Sequence, residues 1–95
     1  SPHEVERVIK AHQAVADCVA IGEEIGTDKT LVSICVIKEA GADISEDELL
    51  DYGLKKLAKY KAPKKVHFME SYPRTKNRKV LRKQLIQDIQ SKGVK

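Results

Sequence analysis

The order of local signals along this chain predicts a small α+β domain, a three-stranded, mainly antiparallel sheet with helices packed against it. Two observations carry that prediction. Apolar residues recur at helical spacing in three segments, and in three others they alternate or form β-branched runs. Between these segments lie glycine, proline, aspartate and serine breaks that suit turns and helix starts. Ninety-five residues fit one core but not two. A content of 41% hydrophobic and 34% charged residues marks a globular chain rather than a disordered one.

Residues 1–12 read as a helix. Ser1 suits the N-cap, Pro2 the first helical position, and Glu4 completes a capping box; Val5, Val8, Ile9 and His12 then share one face. Residues 15–22 form a strand-like run ended by Gly22, and a loop is expected from Glu23 to Lys29. Leu31 to Ile37, rich in β-branched residues, should be the most buried strand and should pair with the first as an antiparallel hairpin. Ser45 and Glu48 repeat the capping box ahead of a helix to about Leu57 or Ala58, expected to bury Leu50, Leu54 and Leu57. Gly53 is a mild weakness in that helix. Pro63 stops any continuation, and Lys65–Met69 alternates as a short strand with Val66 and Phe68 on one face. Pro73 to Arg78 is a polar, basic loop. Val80 to about Ser91 returns to helical spacing through Leu81, Leu85, Ile86 and Ile89, with Gly93 as a stop.

Composition narrows the function classes. No apolar run approaches the roughly 20 residues of a membrane span, and no signal peptide opens the chain. An initiator Met is also lacking, so a fragment of a longer protein is expected. Cys18 and Cys35 each sit in an apolar run and read as small core residues, with a reducing cytoplasm as the expected compartment. His3, His12 and His67 share no metal-ligand spacing, so no metal site is expected. The net charge of +4 is uneven, with lysine and arginine crowding residues 55–83. That half suits a polyanionic partner such as a nucleotide, coenzyme A or nucleic acid, or is simply a solvated basic face.

Three segments together carry a family resemblance. Ser1-Pro2-His3-Glu4-Val5-Glu6 with His12-Gln13-Ala14-Val15 resembles a P-x-E-V-E helix followed by H-P-x-V. Leu57-Ala58-Lys59-Tyr60-Lys61-Ala62-Pro63-Lys64-Lys65-Val66 resembles L-x-x-Y-K-x-P-x-x-V. Pro73-Arg74-Thr75-Lys76-Asn77-Arg78-Lys79-Val80-Leu81-Arg82 is similar to P-R-T-x-x-G-K-[IV]-L-R. In this order and covering nearly the whole chain, they resemble the C-terminal domain of the acyl-CoA synthetase, peptide-synthetase adenylation domain and luciferase superfamily of adenylate-forming enzymes.

That resemblance implies a mobile lid on a large N-terminal domain of the same polypeptide. It implies ATP, a carboxylic acid and magnesium as components of the parent enzyme's reaction, the magnesium bound outside this chain, and coenzyme A or a phosphopantetheine arm as acyl acceptor. The isolated domain is then expected to be inactive. Lys79 takes the place of the lysine of the adenylation step, where attacking carboxylate and α-phosphate are both anionic and a delivered ammonium balances their charge. On charge alone Lys79 is one more exposed lysine; the motif is what singles it out. Lys61 and Lys64 fall in the segment near the coenzyme A nucleotide, where a cation would meet a ribose phosphate. They also belong to a lysine cluster with Lys55, Lys56, Lys59 and Lys65 that reads equally as a solvated face.

Two departures stand out. Arg78 occupies the family's glycine position, where positive φ or close approach is usual. Either Asn77 takes over the left-handed turn, or the loop is shifted and adenylation differently organised. In addition, Gly26-Thr27-Asp28-Lys29-Thr30-Leu31-Val32 reads more like the G-x-K-x-L-V loop of domains that load carrier proteins than the W-G-E-like stretch of many CoA ligases. Coenzyme A is the expected acceptor and a carrier protein the alternative. A small nucleic-acid-binding or interaction module is the alternative from another class. The former calls for stacking aromatics among its basic residues, and the chain has only Tyr52, Tyr60, Phe68 and Tyr72.

Overall fold

The computed structural model describes residues 2–93, with side chains described through residue 91. Its elements run α1 (Pro2–Lys10), β1 (Val15–Ile25), β2 (Lys29–Lys38), α2 (Glu46–Lys56), β3 (Lys65–Phe68) and α3 (Arg82–Gly93). The sheet order is β1-β2-β3. Ten residue pairs join β1 to β2 antiparallel, and four join β2 to β3 parallel. The sheet is therefore mainly antiparallel with one parallel pair. A parallel neighbour needs a crossover, and α2 lies in it.

Helices cover both faces. Side chains alternate along a strand, so Cys18, Ala20, Ile34 and Val36 face a core shared with Val5, Ile9 and Leu49, whereas Val19, Ile21 and Cys35 face Tyr72, Leu85 and Ile89. Cys18 and Cys35 thus lie in opposite layers as free, buried thiols. Burial, reinforced by the nearby Glu6 carboxylate for Cys18 and the Glu23 carboxylate for Cys35, pushes each thiol up to about 12.

Several boundaries differ from the sequence expectation. Ser1, the expected cap of α1, lies outside the described residues. His12 sits beyond the helix, where its Nδ1 accepts from the Ala14 N–H at 3.0 Å and its ring meets Tyr52 edge-on at 4.8 Å. The expected loop from Glu23 to Lys29 is mostly strand, because Glu23, Glu24 and Ile25 pair with Leu31, Thr30 and Lys29. Only Gly26, Thr27 and Asp28 turn, with Gly26 at φ +68°. The Ser45–Glu48 capping box forms as expected. On α2 Leu49 is fully buried, while Leu54, expected in the core, is 48% exposed. Gly53 shares the buried face, and a Cβ there would stand 3.2 Å from Pro63 Cδ, so the glycine permits close packing. Phe68 is half-exposed, with the Lys38 ammonium over its ring. α3 begins two residues later than expected because Val80 pairs with Arg74 and the Leu81 N–H bonds the Pro73 carbonyl. Leu81 remains exposed.

Candidate functional site

Lys79 stands on a small hairpin between β3 and α3. The Thr75 N–H donates to the Lys79 carbonyl and the Arg78 N–H to the Thr75 carbonyl, each at 2.9 Å. Arg78 has φ +66°, the one left-handed non-glycine among the described residues. This is the pattern of a three-residue loop in which a turn is followed by a left-handed bulge residue, the place glycine ordinarily fills. Asn77 therefore does not take over the left-handed position; Arg78 itself adopts it, and the loop keeps the geometry a glycine would give.

Side chains tie the hairpin to the sheet. The Lys79 N–H donates to Thr75 Oγ1 at 3.1 Å. Arg74 Nη1 donates to the Arg78 carbonyl at 2.9 Å, while Nη2 donates to Asp17 Oδ2 on β1 at 3.2 Å. The Arg74 guanidinium lies 5.6 Å from the Tyr72 ring centre, and the Tyr72 hydroxyl donates to the Cys35 carbonyl at 2.6 Å. Lys79 is exposed and makes no ion pair among the described residues. It borders an open groove of about 580 Å³, along with Pro2, Ile21, Gly22, Arg82 and Ile86.

Lys61 borders a second groove, of about 380 Å³, with Val5, Val32 and the exposed Tyr60. Both grooves include Pro2, Ala20, Ile21 and Gly22. The outer edge of β1 therefore has Lys61 on one flank and Lys79 on the other. Lys61 is already engaged, its Nζ 3.0 Å from the Glu4 carboxylate. That hydrogen-bonded pairing lowers the Glu4 carboxyl and raises the Lys61 ammonium. Lys64 borders neither groove; its Nζ donates to the Lys59 carbonyl at 3.2 Å. Asn77 and Arg78 are exposed on the Lys79 turn.

Glu6 and Arg82, both present in the quoted motifs but given no role there, meet beside the groove of Lys79. Glu6 on α1 is buried, and its Oε2 accepts from the Ala20 N–H at 2.8 Å and from Arg82 Nη2 at 3.0 Å. Arg82 Nη1 donates to the Ala20 carbonyl at 2.8 Å. Asp17, the one acid in the apolar run from Val15 to Gly22, and Arg74, the arginine of the P-R-T segment, are the sequence signals for this anchor. Among the described residues no three His, Cys, Asp or Glu side chains converge to hold a metal ion.

The fold agrees with what comparison shows. Residues 4–79 match the AMP-binding enzyme C-terminal domain, and the chain belongs to that family. A 2-succinylbenzoate–CoA ligase of Bacillus cereus is 38% identical over 94% of this chain. MatB from Rhodopseudomonas palustris, in its apo crystal structure, superposes with a TM-score of 0.86 at 33% identity over 92% of the chain. A double mutant of o-succinylbenzoate CoA synthetase from Bacillus subtilis, bound with its product analogue, gives 0.78 at 37% identity over 88%. The chain spans only 18% of the first of these proteins and 17% of each of the other two. No described helix is long and apolar enough to cross a membrane.

Proposed function

We propose that this chain is the mobile C-terminal domain of an ATP-dependent acyl- or aryl-CoA ligase, and that Lys79 serves its adenylation step. The observation that carries the reading is an exposed lysine, free of ion pairs among the described residues, on a hairpin closed by its own hydrogen bonds and tied to the sheet through Arg74 and Asp17. The carboxylate of the acid attacks the α-phosphorus of ATP, an acyl–phosphate bond forms, and pyrophosphate leaves. Repulsion between the two anions opposes the approach. An ammonium brought in by domain closure lowers that repulsion and aligns the reacting groups.

The large N-terminal domain of the same polypeptide supplies the remaining walls, binds magnesium, ATP and the acid, and selects which acid is activated. Coenzyme A is the acceptor favoured by the names of the relatives, which are CoA ligases. A carrier-protein phosphopantetheine arm is the alternative. Placement of Lys61 and Lys79 on opposite flanks of the β1 edge supports a domain that offers different faces in the two half-reactions. Lys61 would contribute through the loop it braces against Glu4 rather than as a free cation, and Lys64 remains the more available of the two. The protein acts in the cytoplasm under this reading, and the chain alone forms no acyl-adenylate.

ATP–pyrophosphate exchange by the full-length parent, across a panel of carboxylic acids, tests the proposal. Lys79→Ala should lower exchange about 10²–10³-fold with the preferred acid. Exchange equal to wild type would remove Lys79 from the reaction. Acyl transfer to coenzyme A against transfer to a carrier protein then separates the two acceptors.

A further inference from the structure

We propose that Arg74 is a positioning residue for Lys79, and that this chain depends on it because Arg78 stands where glycine would make the turn freely. The inference rests on the reading of Lys79 above and concerns what holds it in place. The left-handed conformation of Arg78 (φ +66°) disfavours any residue with a Cβ. Nothing in the backbone hydrogen bonding of the turn reaches the Arg78 carbonyl; the Arg74 guanidinium does, at 2.9 Å. The same guanidinium is fixed at its other end by Asp17 on β1 at 3.2 Å and lies on the Tyr72 ring, itself tied to the Cys35 carbonyl.

A planar guanidinium with several fixed donors spans two acceptors at once. Arg74 therefore links the strained carbonyl to the sheet, and the peptide it grips is the one that leads into Lys79. Releasing that carbonyl lets Arg78 leave the left-handed region, which redirects the chain entering Lys79. Arg74 touches neither reacting group in this account. Its effect is on where the ammonium stands, and a displacement of about 1 Å costs on the order of 10²-fold in rate.

The test uses the full-length parent and follows both half-reactions separately. Arg74→Gln should lower acyl-adenylate formation about 10- to 100-fold with KM for ATP nearly unchanged, and leave acyl transfer from supplied acyl-adenylate within about twofold. The double variant Arg74→Gln/Arg78→Gly should recover most of the loss, because glycine adopts the turn without the clamp. A merely structural arginine would depress both half-reactions together, and that result would overturn the proposal. Unchanged adenylation in Arg74→Gln, or a loss that Arg78→Gly does not repair, would overturn it as well. Lys79→Ala, measured alongside, separates the two readings: if it retains adenylation, the role of Lys79 falls and that of Arg74 with it, whereas a failure confined to Arg74 leaves Lys79→Ala inactive.

Discussion

Glu6 and Arg82, 76 positions apart in the chain, meet at 3.0 Å across the outer edge of β1 and close the hydrogen bonds of Ala20 between them. The Glu6 carboxylate takes the Ala20 N–H, and Arg82 donates to the Ala20 carbonyl. An open strand edge presents unpaired backbone groups, and here one residue's pair is covered by side chains from both helical layers. The clasp links α1 on one face to the first residue of α3 on the other, beside the groove of Lys79.

Arg82→Ala should therefore destabilise the domain by about 1–3 kcal/mol. It leaves the Glu6 carboxylate, whose side chain is 11% exposed, without its cation and the Ala20 carbonyl without its donor. Arg82 itself is 43% exposed, so solvent screens part of the loss. Urea denaturation of the wild type, Glu6→Ala, Arg82→Ala and the double variant gives the coupling. A double-mutant coupling of about 1 kcal/mol is expected, and simple additivity would show that the two side chains act separately.

Arg78→Gly should raise stability by about 1 kcal/mol, the strain of a left-handed residue being relieved at a position that already has the required geometry. Glycine also adds disorder to the unfolded chain, which keeps the gain small. Arg78→Val should do the reverse, since a β-branched residue resists positive φ more strongly. Thermal unfolding of the three proteins checks the order glycine, arginine, valine from most to least stable. A glycine variant less stable than wild type would mean that the arginine side chain contributes more than its backbone costs.

Local signals in the sequence were sufficient for much of this fold. The Ser45–Glu48 capping box, the two core cysteines and the apolar face of α1 depend on residues near one another in the chain, and they are read correctly from spacing. Leu49 against Leu54 was not legible, because which side of α2 faces inward depends on Pro63 approaching Gly53. The strand character of Glu23 to Ile25 was hidden for a related reason: polar residues pair there through backbone with β2. At the site, the motif picks out Lys79 and marks Arg78 as unusual. What holds the turn, Arg74 through Asp17, joins positions 57 residues apart and emerges only with the sheet assembled.

Acid should weaken the domain through Glu23. Burial raises its carboxyl, but the neighbouring Ser33 hydroxyl and His67, together with the charges of His67 and Lys65, outweigh burial and hold it below the ordinary value of 4.5. The Ser33 Oγ itself makes no hydrogen bond of good geometry, so His67, in direct contact with the carboxylate, is the firmer partner. A carboxyl lowered by folding contributes stability above its unfolded value and loses it as pH falls through the folded one. Urea midpoints should accordingly drop below about pH 4.5. His67→Gln should lower stability at neutral pH and flatten the acid slope; an unchanged slope would place the titration on another group.

Alkali should weaken it from the opposite side, through the two thiols. Cys18 and Cys35 keep their protons in the folded state up to about 12, against an ordinary value of 9.0. Burial likewise raises the Tyr72 phenol above its ordinary 10.0. Between those limits the unfolded chain has released protons that the folded one retains, so the stability these groups contribute is present in full below pH 9 and declines as pH rises toward 12. Each thiol adds at most about 1.4 kcal/mol per pH unit to that decline. Chemical denaturation at pH 7, 9 and 10.5 measures it, and Cys18→Ala should reduce the slope while leaving a cavity that lowers stability at every pH. A slope identical in the variant would show that Cys18 titrates alike in both states, and hence that the α1 and α2 layer admits water to the strand it covers.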